Sequence, residues 1–445
     1  MSKVKATKRK STVRRNSGST DRRHKKSASS TSRTRLQKST EAIDSATDKL
    51  SKQIDKELTK HIWFHGVMPR SDCEEVLKND GEFLVRRTTV AKVTTYCISV
   101  RCGGEMKHIP VAHENGMWIL LDDKKPSLVE LIDLYVSQKK PIPPSNSVLT
   151  KPRPRPEYFF LHKDVTLGKK LGRGAFGEVF AGKLKLKTGQ EVDVAVKTAR
   201  AQHLKKAQLN AFVREAKIMR RLDHPNIVRF YGVAAQEEPV MILLELAVNG
   251  CMKAYFRKTE VPVEQKLKFA TDACRGMCYL SGAKVIHRDL AARNCLLGPS
   301  NEVKIADFGL SVMDKSELRL DKLEKVPVRW LSPETLTEGV FTTKTDVWSF
   351  GVLMWEIYAS CKSDPFPGLN NARARELITG QTPPMGPPPN SPPIVKQIMD
   401  LCFVKDPNAR PDFTAILVLL APSEAPPESV RMSTTASPGP ISEKR

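Results

Sequence analysis

The chain has no apolar run near the roughly 20 residues that a helix needs to span a bilayer. The longest candidate, Val347 to Ala359, is short and carries Ser349, Gly351 and Glu356. The basic N-terminus has no apolar stretch, so it is not a secretory signal. Met1-Ser2 is not a myristoylation start, which needs glycine in second place. The nine cysteines are scattered, odd in number and without C-x-x-C pairs. They read as reduced core residues of an intracellular protein, not as a disulfide framework or a structural zinc site. Aromatics are sparse, at 6%, and residues 1–58 contain none. These absences set aside membrane-spanning, secreted and zinc-held classes.

What is present is basic charge, unevenly placed. The 445 residues carry 73 Lys/Arg against 49 Asp/Glu, a net charge of +24. Residues 1–40 hold 14 of those basic side chains and one acid, Asp21, so this arm alone contributes +13. The Lys/Arg/Ser/Thr-rich segment 1–58 cannot bury enough apolar surface to offset the entropy of ordering, and it reads as a disordered arm. The Pro/Ser/Thr-rich segment 421–445 reads as a disordered tail.

Two folded units are expected between them, which makes the fold class multi-domain α+β. The first covers 59–150. Ser71 is placed to cap a helix running through Val76-Leu77. Phe83-Leu84-Val85 and Tyr96 to Val100 read as strands, and Ser127 to Tyr135 as a helix with apolar residues at three/four spacing. A Pro-rich linker, 151–160, is expected to be stiff and extended. The second unit, 161–420, opens strand-like and turns helical after about Gln208.

The second unit carries a set of phosphate-handling motifs. Leu171-Gly172-Arg173-Gly174-Ala175-Phe176-Gly177-Glu178-Val179 contains G-x-G-x-x-G, a weak signal alone. Strand-like residues follow it, which suits a flap whose backbone N–H groups approach phosphates. Val194-Ala195-Val196-Lys197 ends an apolar strand on a lysine, which needs an anionic partner. Glu215 lies on the next helix. His287-Arg288-Asp289-Leu290-Ala291-Ala292-Arg293-Asn294, Asp307-Phe308-Gly309, Ser332-Pro333-Glu334, Asp346 and Arg410 follow in order. Singly, each acid reads as a solvated or capping side chain; the ordered set does not arise by chance.

This set resembles a protein kinase across 160–420. The resemblance implies ATP and Mg²⁺ as cofactors, with Mn²⁺ an alternative. It implies that Lys197 contacts the α- and β-phosphates and Glu215 holds it, and that Asp307 and Asn294 bind the metals. Asp289 would orient the substrate hydroxyl beside Arg293. Leu171, Gly172, Gly174, Gly177, Val179 and Ala195 would enclose the nucleotide. Glu245 and Ala247 would offer hinge backbone bonds behind gatekeeper Leu244. Glu334 and Arg410 would form a structural ion pair, and Asp346 would brace the catalytic loop. Ala291-Ala292-Arg293 and Val326-Pro327-Val328-Arg329-Trp330 look like tyrosine kinases, in which Pro327, Val328 and Trp330 would form a shelf for the substrate ring.

Trp63-Phe64-His65-Gly66, Gly81 to Arg86 and Lys107-His108 resemble an SH2 domain over roughly Trp63 to Val148. An arginine after three apolar strand residues is costly unless an anion pairs with it, and its planar fork suits phosphate. Arg86 would bind phosphotyrosine, helped by Thr88 on the same strand face, and by Arg70 and His108. The alternative is an internal carboxylate partner for Arg86. The usual Arg-Glu-Ser reads Arg86-Arg87-Thr88 here, and Pro110 stands where a basic residue is common. Ile109 suggests apolar residues after the phosphotyrosine.

SH2 directly followed by kinase is most similar to the Fes/Fer group of non-receptor tyrosine kinases, without that group's N-terminal membrane-curving module. The resemblance implies tyrosine-phosphorylated proteins and protein tyrosine substrates as partners, and a cytoplasmic location. In that group the SH2 domain packs on the small lobe and supports the helix bearing the Glu215 equivalent. No tyrosine lies between Asp307 and Glu334, and Val312 replaces an expected arginine. Ordering of this activation segment is therefore expected from Glu317 or Asp321 as a fixed charge, or from SH2 docking. Residues 1–40 could meet an anionic membrane, such as the inner face of the plasma membrane. Nucleic acid is disfavoured, because the arm lacks aromatics for stacking. The rival function is an SH2 adaptor attached to a weakly active or inactive kinase fold.

Overall fold

The computed structural model describes residues 50–90, 93–173, 177–200, 206–323, 326–380 and 383–423. Gly174, residues 1–40 and the tail beyond 423 lie outside these. No helix among the described residues is long and apolar enough to cross a membrane.

The first unit is a sheet flanked by helices. Strands β1 (Phe64–Val67), β2 (Glu82–Val90), β3 (Val93–Cys102), β4 (Glu105–Glu114), β5 (Met117–Leu120) and β6 (Asp123–Lys125) lie side by side in that order. Strands β2 and β3 are covered on both faces: Phe83, Leu84 and Val85 are buried in succession, and Cys97, Ile98 and Val100 are buried too. Helix α1 is described over 50–58, and α2 spans Arg70–Val76. Helix α3 (Leu128–Ser137) starts where expected: Ser127 caps it by accepting from the Glu130 N–H, and Leu128, Leu131, Ile132 and Tyr135 are buried.

Two sequence expectations change here. Ser71 does not cap α2; the helix begins at Arg70 behind Pro69, and the Ser71 hydroxyl donates to Asp72 instead. Residues 50–58, read as part of a disordered arm, are helical. Asp55 and Leu58 are buried there, because Asp55 has an arginine and a tyrosine hydroxyl to meet. The linker is anchored to the first unit. Its strand β7 (Lys151–Pro152) adds to β2 in parallel, and Arg155 donates to the carbonyls of Thr59, His61 and Phe64.

The second unit has two lobes. The small lobe is the sheet β11-β12-β10-β9-β8, built from β8 (Val165–Arg173), β9 (Glu178–Lys185), β10 (Glu191–Ala199), β11 (Phe230–Ala234) and β12 (Val240–Glu245). Helix α4 (Lys206–Met219) accompanies it. The large lobe holds α5 (Met252–Phe256), α6 (Val263–Gly282), α7 (Pro333–Glu338), α8 (Thr343–Tyr358), α9 (Asn371–Gly380), α10 (Pro393–Cys402) and α11 (Phe413–Leu420). Short strands β13 (Val285–Ile286), β14 (Cys295–Leu297), β15 (Val303–Ile305), β16 (Val312–Met313), β17 (Leu318–Arg319) and β18 (Val340–Phe341) tie its loops together. Helix α8 is buried on all sides from Thr345 to Tyr358, so the apolar run of the sequence is the centre of this lobe.

The two units share a seam. The Val67 N–H donates to the Ala235 carbonyl at 2.8 Å. Met68, Cys73 and Leu84 join one apolar cluster with Phe159, Phe212, Ala216 and Val233. On α2, Glu75 pairs with Lys217 of α4 at 2.5 Å and with Arg220 at 2.6 Å, and Asp72 pairs with Lys217 at 3.3 Å. The helix that carries Glu215 is thus braced from outside by the first unit.

Candidate active site

Sheet register brings the first candidates together. Val179 lies opposite both Gly172 and Lys197, and Ala195 lies opposite Leu244. Leu171 is 52% exposed near the end of β8. Gly177 has a steric reason to be glycine: a Cβ there would stand 2.0 Å from the Thr198 carbonyl oxygen. Glu245 ends β12. Its N–H is committed to the Arg229 carbonyl, and its carboxylate meets Lys304 at 2.9 Å. What it can offer a purine is its carbonyl. The Ala247 carbonyl accepts from Gly250, so the N–H is the group Ala247 can offer.

Lys197 Nζ donates to both Glu215 carboxylate oxygens at 2.7 Å and reaches Asp307 Oδ1 at 3.5 Å. Burial works against the ammonium, but Glu215 and then Asp307 hold it above the ordinary lysine value. Asp307 has φ +64° and a half-exposed side chain, so it faces the cleft.

The catalytic-loop residues form a second cluster. Asn294 Nδ2 donates to the Asp289 carbonyl and to its Oδ2, both at 2.7 Å. Arg293 pairs with Asp289 Oδ1, and its guanidinium covers the Trp330 ring at 4.6 Å. Ala306, beside Asp307, donates its N–H to the Asn294 carbonyl at 2.9 Å. That bond joins the two clusters. Asp346 accepts from the His287 and Arg288 N–H groups at 2.7 and 2.9 Å; burial pushes its carboxyl up to about 7. Glu334 and Arg410 pair at 2.7 Å. Pro327 leads into a 3₁₀ turn, Val328–Trp330.

The activation segment differs from expectation. Arg288 donates to the Leu310 carbonyl at 2.7 Å and lies over the Phe341 ring at 4.1 Å. Glu317 pairs with its neighbour Arg319 at 3.6 Å, and Asp321 is exposed. Neither serves as the fixed anion for Arg288. The backbone holds the segment instead. Strand β16 pairs with β13, and β17 with β18, while Leu320 N–H donates to the Gly339 carbonyl at 2.9 Å. The Ser311 hydroxyl is buried against the His287 carbonyl.

In the first unit, Arg86 is 2% exposed. Its guanidinium donates to Ser99 Oγ and the Met68 carbonyl, both at 3.1 Å, and points at Cys97 Sγ. These are neutral partners, so the internal-carboxylate alternative is not what the fold built. His108 Nδ1 meets the same Ser99 hydroxyl at 2.9 Å. Burial, then Arg86 and Arg70, push its imidazole down to about 4. Arg70 is exposed at the start of α2, and Thr88 is half-buried two residues along β2. Arg86 and His108 thus share one Ser99 hydroxyl at this spot of the sheet.

Sequence reasoning missed Ser99, which bridges Arg86 and His108, and Glu356, which lies under the catalytic loop. Ser99 was legible only as an alternating strand residue. Glu356 was legible as an acid inside an apolar run, which is costly without partners.

A buried-arginine cluster on one sheet, joined to a two-lobed fold with these paired Lys-Glu and Asp-Asn clusters, defines an SH2-containing protein kinase. Residues 165–420 match the protein tyrosine and serine/threonine kinase family, and residues 63–135 match the SH2 domain. Fer-related kinase 1 of Caenorhabditis elegans is 39% identical over 361 residues, covering 80% of this chain and 91% of that protein. Human tyrosine-protein kinase Fer is 38% identical across 81% of this chain and 44% of its own length. The Fps transforming protein of Fujinami sarcoma virus is 37% identical across 82% and 41%. This chain thus spans less than half of the last two relatives. It belongs to the protein kinase family, in the Fer/Fes/Fps group of non-receptor tyrosine kinases.

Proposed function

We propose that the chain transfers the γ-phosphoryl group of ATP to tyrosine hydroxyls of proteins, is recruited through phosphotyrosine, and needs no phosphotyrosine in its own activation segment. The single observation that carries this is the formed Lys197–Glu215 pair, with α4 braced by the first unit and Arg288 engaged by the Leu310 carbonyl and the Phe341 ring. An inert adaptor fold would have no reason to keep Lys197, Glu215, Asp289, Asn294 and Asp307 in this arrangement.

In this reading Asp289 accepts the hydrogen bond of the substrate hydroxyl and orients it in line, while Arg293 and Asn294 hold Asp289. Gly172 and Gly177 cover the nucleotide. Asn294 and Asp307 supply hard oxygen donors, which suit Mg²⁺, with Mn²⁺ an alternative. When bound, the metal neutralises charge on the transferring phosphates. Phosphoryl transfer asks mainly for such positioning and charge compensation. Arg86, Ser99 and His108, with Arg70 and Thr88, would take the phosphotyrosine of a partner. Residues 1–40 would add attraction to anionic lipid, and the expected location is cytoplasmic, including the inner face of the plasma membrane.

The test is phosphate transfer from Mg-ATP to a tyrosine copolymer by phosphatase-treated full chain, beside Asp289→Asn. Tyrosine phosphate made only by the unmutated chain is expected. No transfer, even with a phosphotyrosine peptide present, would return the chain to the adaptor reading.

A further inference from the structure

Glu356 sits on α8 in the apolar centre of the large lobe, 2% exposed. A residue needed there only to fill space would be apolar, since a buried carboxylate is costly unless fully hydrogen-bonded. Its Oε2 accepts from two donors at 2.9 Å: the Trp330 indole Nε1–H and the Ala292 backbone N–H. Trp330 closes the turn that begins at Pro327. Ala292 lies between Asp289 and Arg293. One oxygen therefore spans the two loops that must agree on where a substrate tyrosine stands.

Two further contacts run in the same direction. Ser349, seven residues earlier and so on the same face of α8, donates its hydroxyl to the Trp330 carbonyl at 2.8 Å. Trp330 is thus held at its backbone and at its indole by one helix. Above the ring lies Arg293, which also pairs with Asp289. The chain of contact runs from Glu356 through Trp330 and Arg293 to Asp289.

We propose that Glu356 is a positioning residue for the tyrosine substrate, fixing the height of the Pro327–Trp330 shelf relative to Asp289. This rests on reading those residues as the shelf. The nucleotide side of the cleft, at Lys197 and Asp307, has no contact with Glu356. The proposal therefore separates peptide binding from ATP binding.

The experiment measures KM for a tyrosine peptide, KM for ATP, and kcat on the full chain for five variants. Glu356→Gln keeps an acceptor oxygen and should leave peptide KM within two- to threefold. Glu356→Leu strands both donors and should raise peptide KM by about tenfold, with ATP KM unchanged. Trp330→Phe should raise peptide KM as well, and combining it with Glu356→Leu should add little. Equal falls in kcat with both KM values unchanged would overturn the proposal, as would Gln behaving like Leu. Val328→Ala lies on the shelf without touching Glu356 and separates the two failures. If it raises peptide KM while Glu356→Leu does not, the role of Glu356 is wrong and the shelf stands. If neither raises it, the shelf reading falls first. Should Glu356→Leu fail to fold, a sixth variant, Glu356→Asp, withdraws the carboxylate from both donors and must raise peptide KM with ATP KM unchanged; an unchanged peptide KM overturns the proposal.

Discussion

Arg87 Nη2 and Glu238 Oε1 meet at 2.7 Å across the seam between the SH2 sheet and the kinase small lobe. The other arm of the same guanidinium pairs with Asp55, whose second oxygen accepts from the Tyr96 hydroxyl at 2.8 Å. Burial pushes the Asp55 carboxyl up to about 6 even with Arg87 beside it. One arginine, next in sequence to the phosphate-pocket Arg86, thus joins α1, the SH2 sheet and the kinase.

Removing that arginine should be expensive. Arg87→Ala leaves two buried carboxylates without their cation, and stability should fall by about 3 kcal/mol, the lower range for breaking a buried pair. Glu238→Ala cuts only the arm that crosses the seam. It should lower kinase activity while leaving phosphotyrosine-peptide affinity unchanged. Chemical denaturation and parallel peptide-binding assays check both.

The α2–α4 pairs are partly exposed, so each contributes at most about 1 kcal/mol. Glu75→Lys should still reduce kcat several-fold, because it sets like charges against Lys217 and Arg220 on the helix that holds Glu215. Lys217→Glu in the same chain should restore much of the loss. A charge swap that rescues nothing would mean that α4 is held by apolar packing alone.

Gly339 has φ +70°, and a Cβ there would lie 2.0 Å from the Leu320 carbonyl oxygen. Gly339→Ala should therefore break the anchor of the activation segment as well as pay for a left-handed alanine, about 1–2 kcal/mol. The expected readout is faster proteolysis within 312–323 and a lower kcat. ATP affinity should hold, since the Lys197 cluster is elsewhere.

His65 is fully buried and holds the linker by donating from Nε2 to the Arg153 carbonyl at 3.0 Å. Burial, and then the nearby Arg155 charge, push its imidazole down to about 4. The fold therefore prefers the neutral ring. Stability should be full above about pH 6.5 and decline as pH falls toward 4, by about 3 kcal/mol from this group. His65→Gln should flatten that part of the pH–stability curve measured by denaturation.

Much of the site was legible because each motif is local. Asp289, Arg293 and Asn294 lie within one short loop, and their mutual bonds follow from a spacing that any reader of the sequence can see. The α3 helix was legible for the same reason, with its Ser127 cap and apolar stripe adjacent in sequence. The α2 start was misread because Ser71 looked like a cap, whereas Pro69 fixes the entry two residues earlier. Helix α1 was misread because its polar composition argues for disorder. Its order comes from Asp55, whose partners Arg87 and Tyr96 lie far along the chain.

The sequence by itself determined the chemistry: which side chains could handle phosphate, which loop carries the acid, and that an arginine on an apolar strand wants an anion. Those are statements about residue type and short spacing, where covalent geometry limits the outcomes. The tertiary structure decided which charges meet. Glu238 reaches Arg87 across 151 positions, Glu356 reaches Trp330 from the middle of a buried helix, and Arg288 meets a ring and a carbonyl. Such pairings depend on how sheets and helices pack, and packing is set by the whole apolar core rather than by any neighbour in sequence.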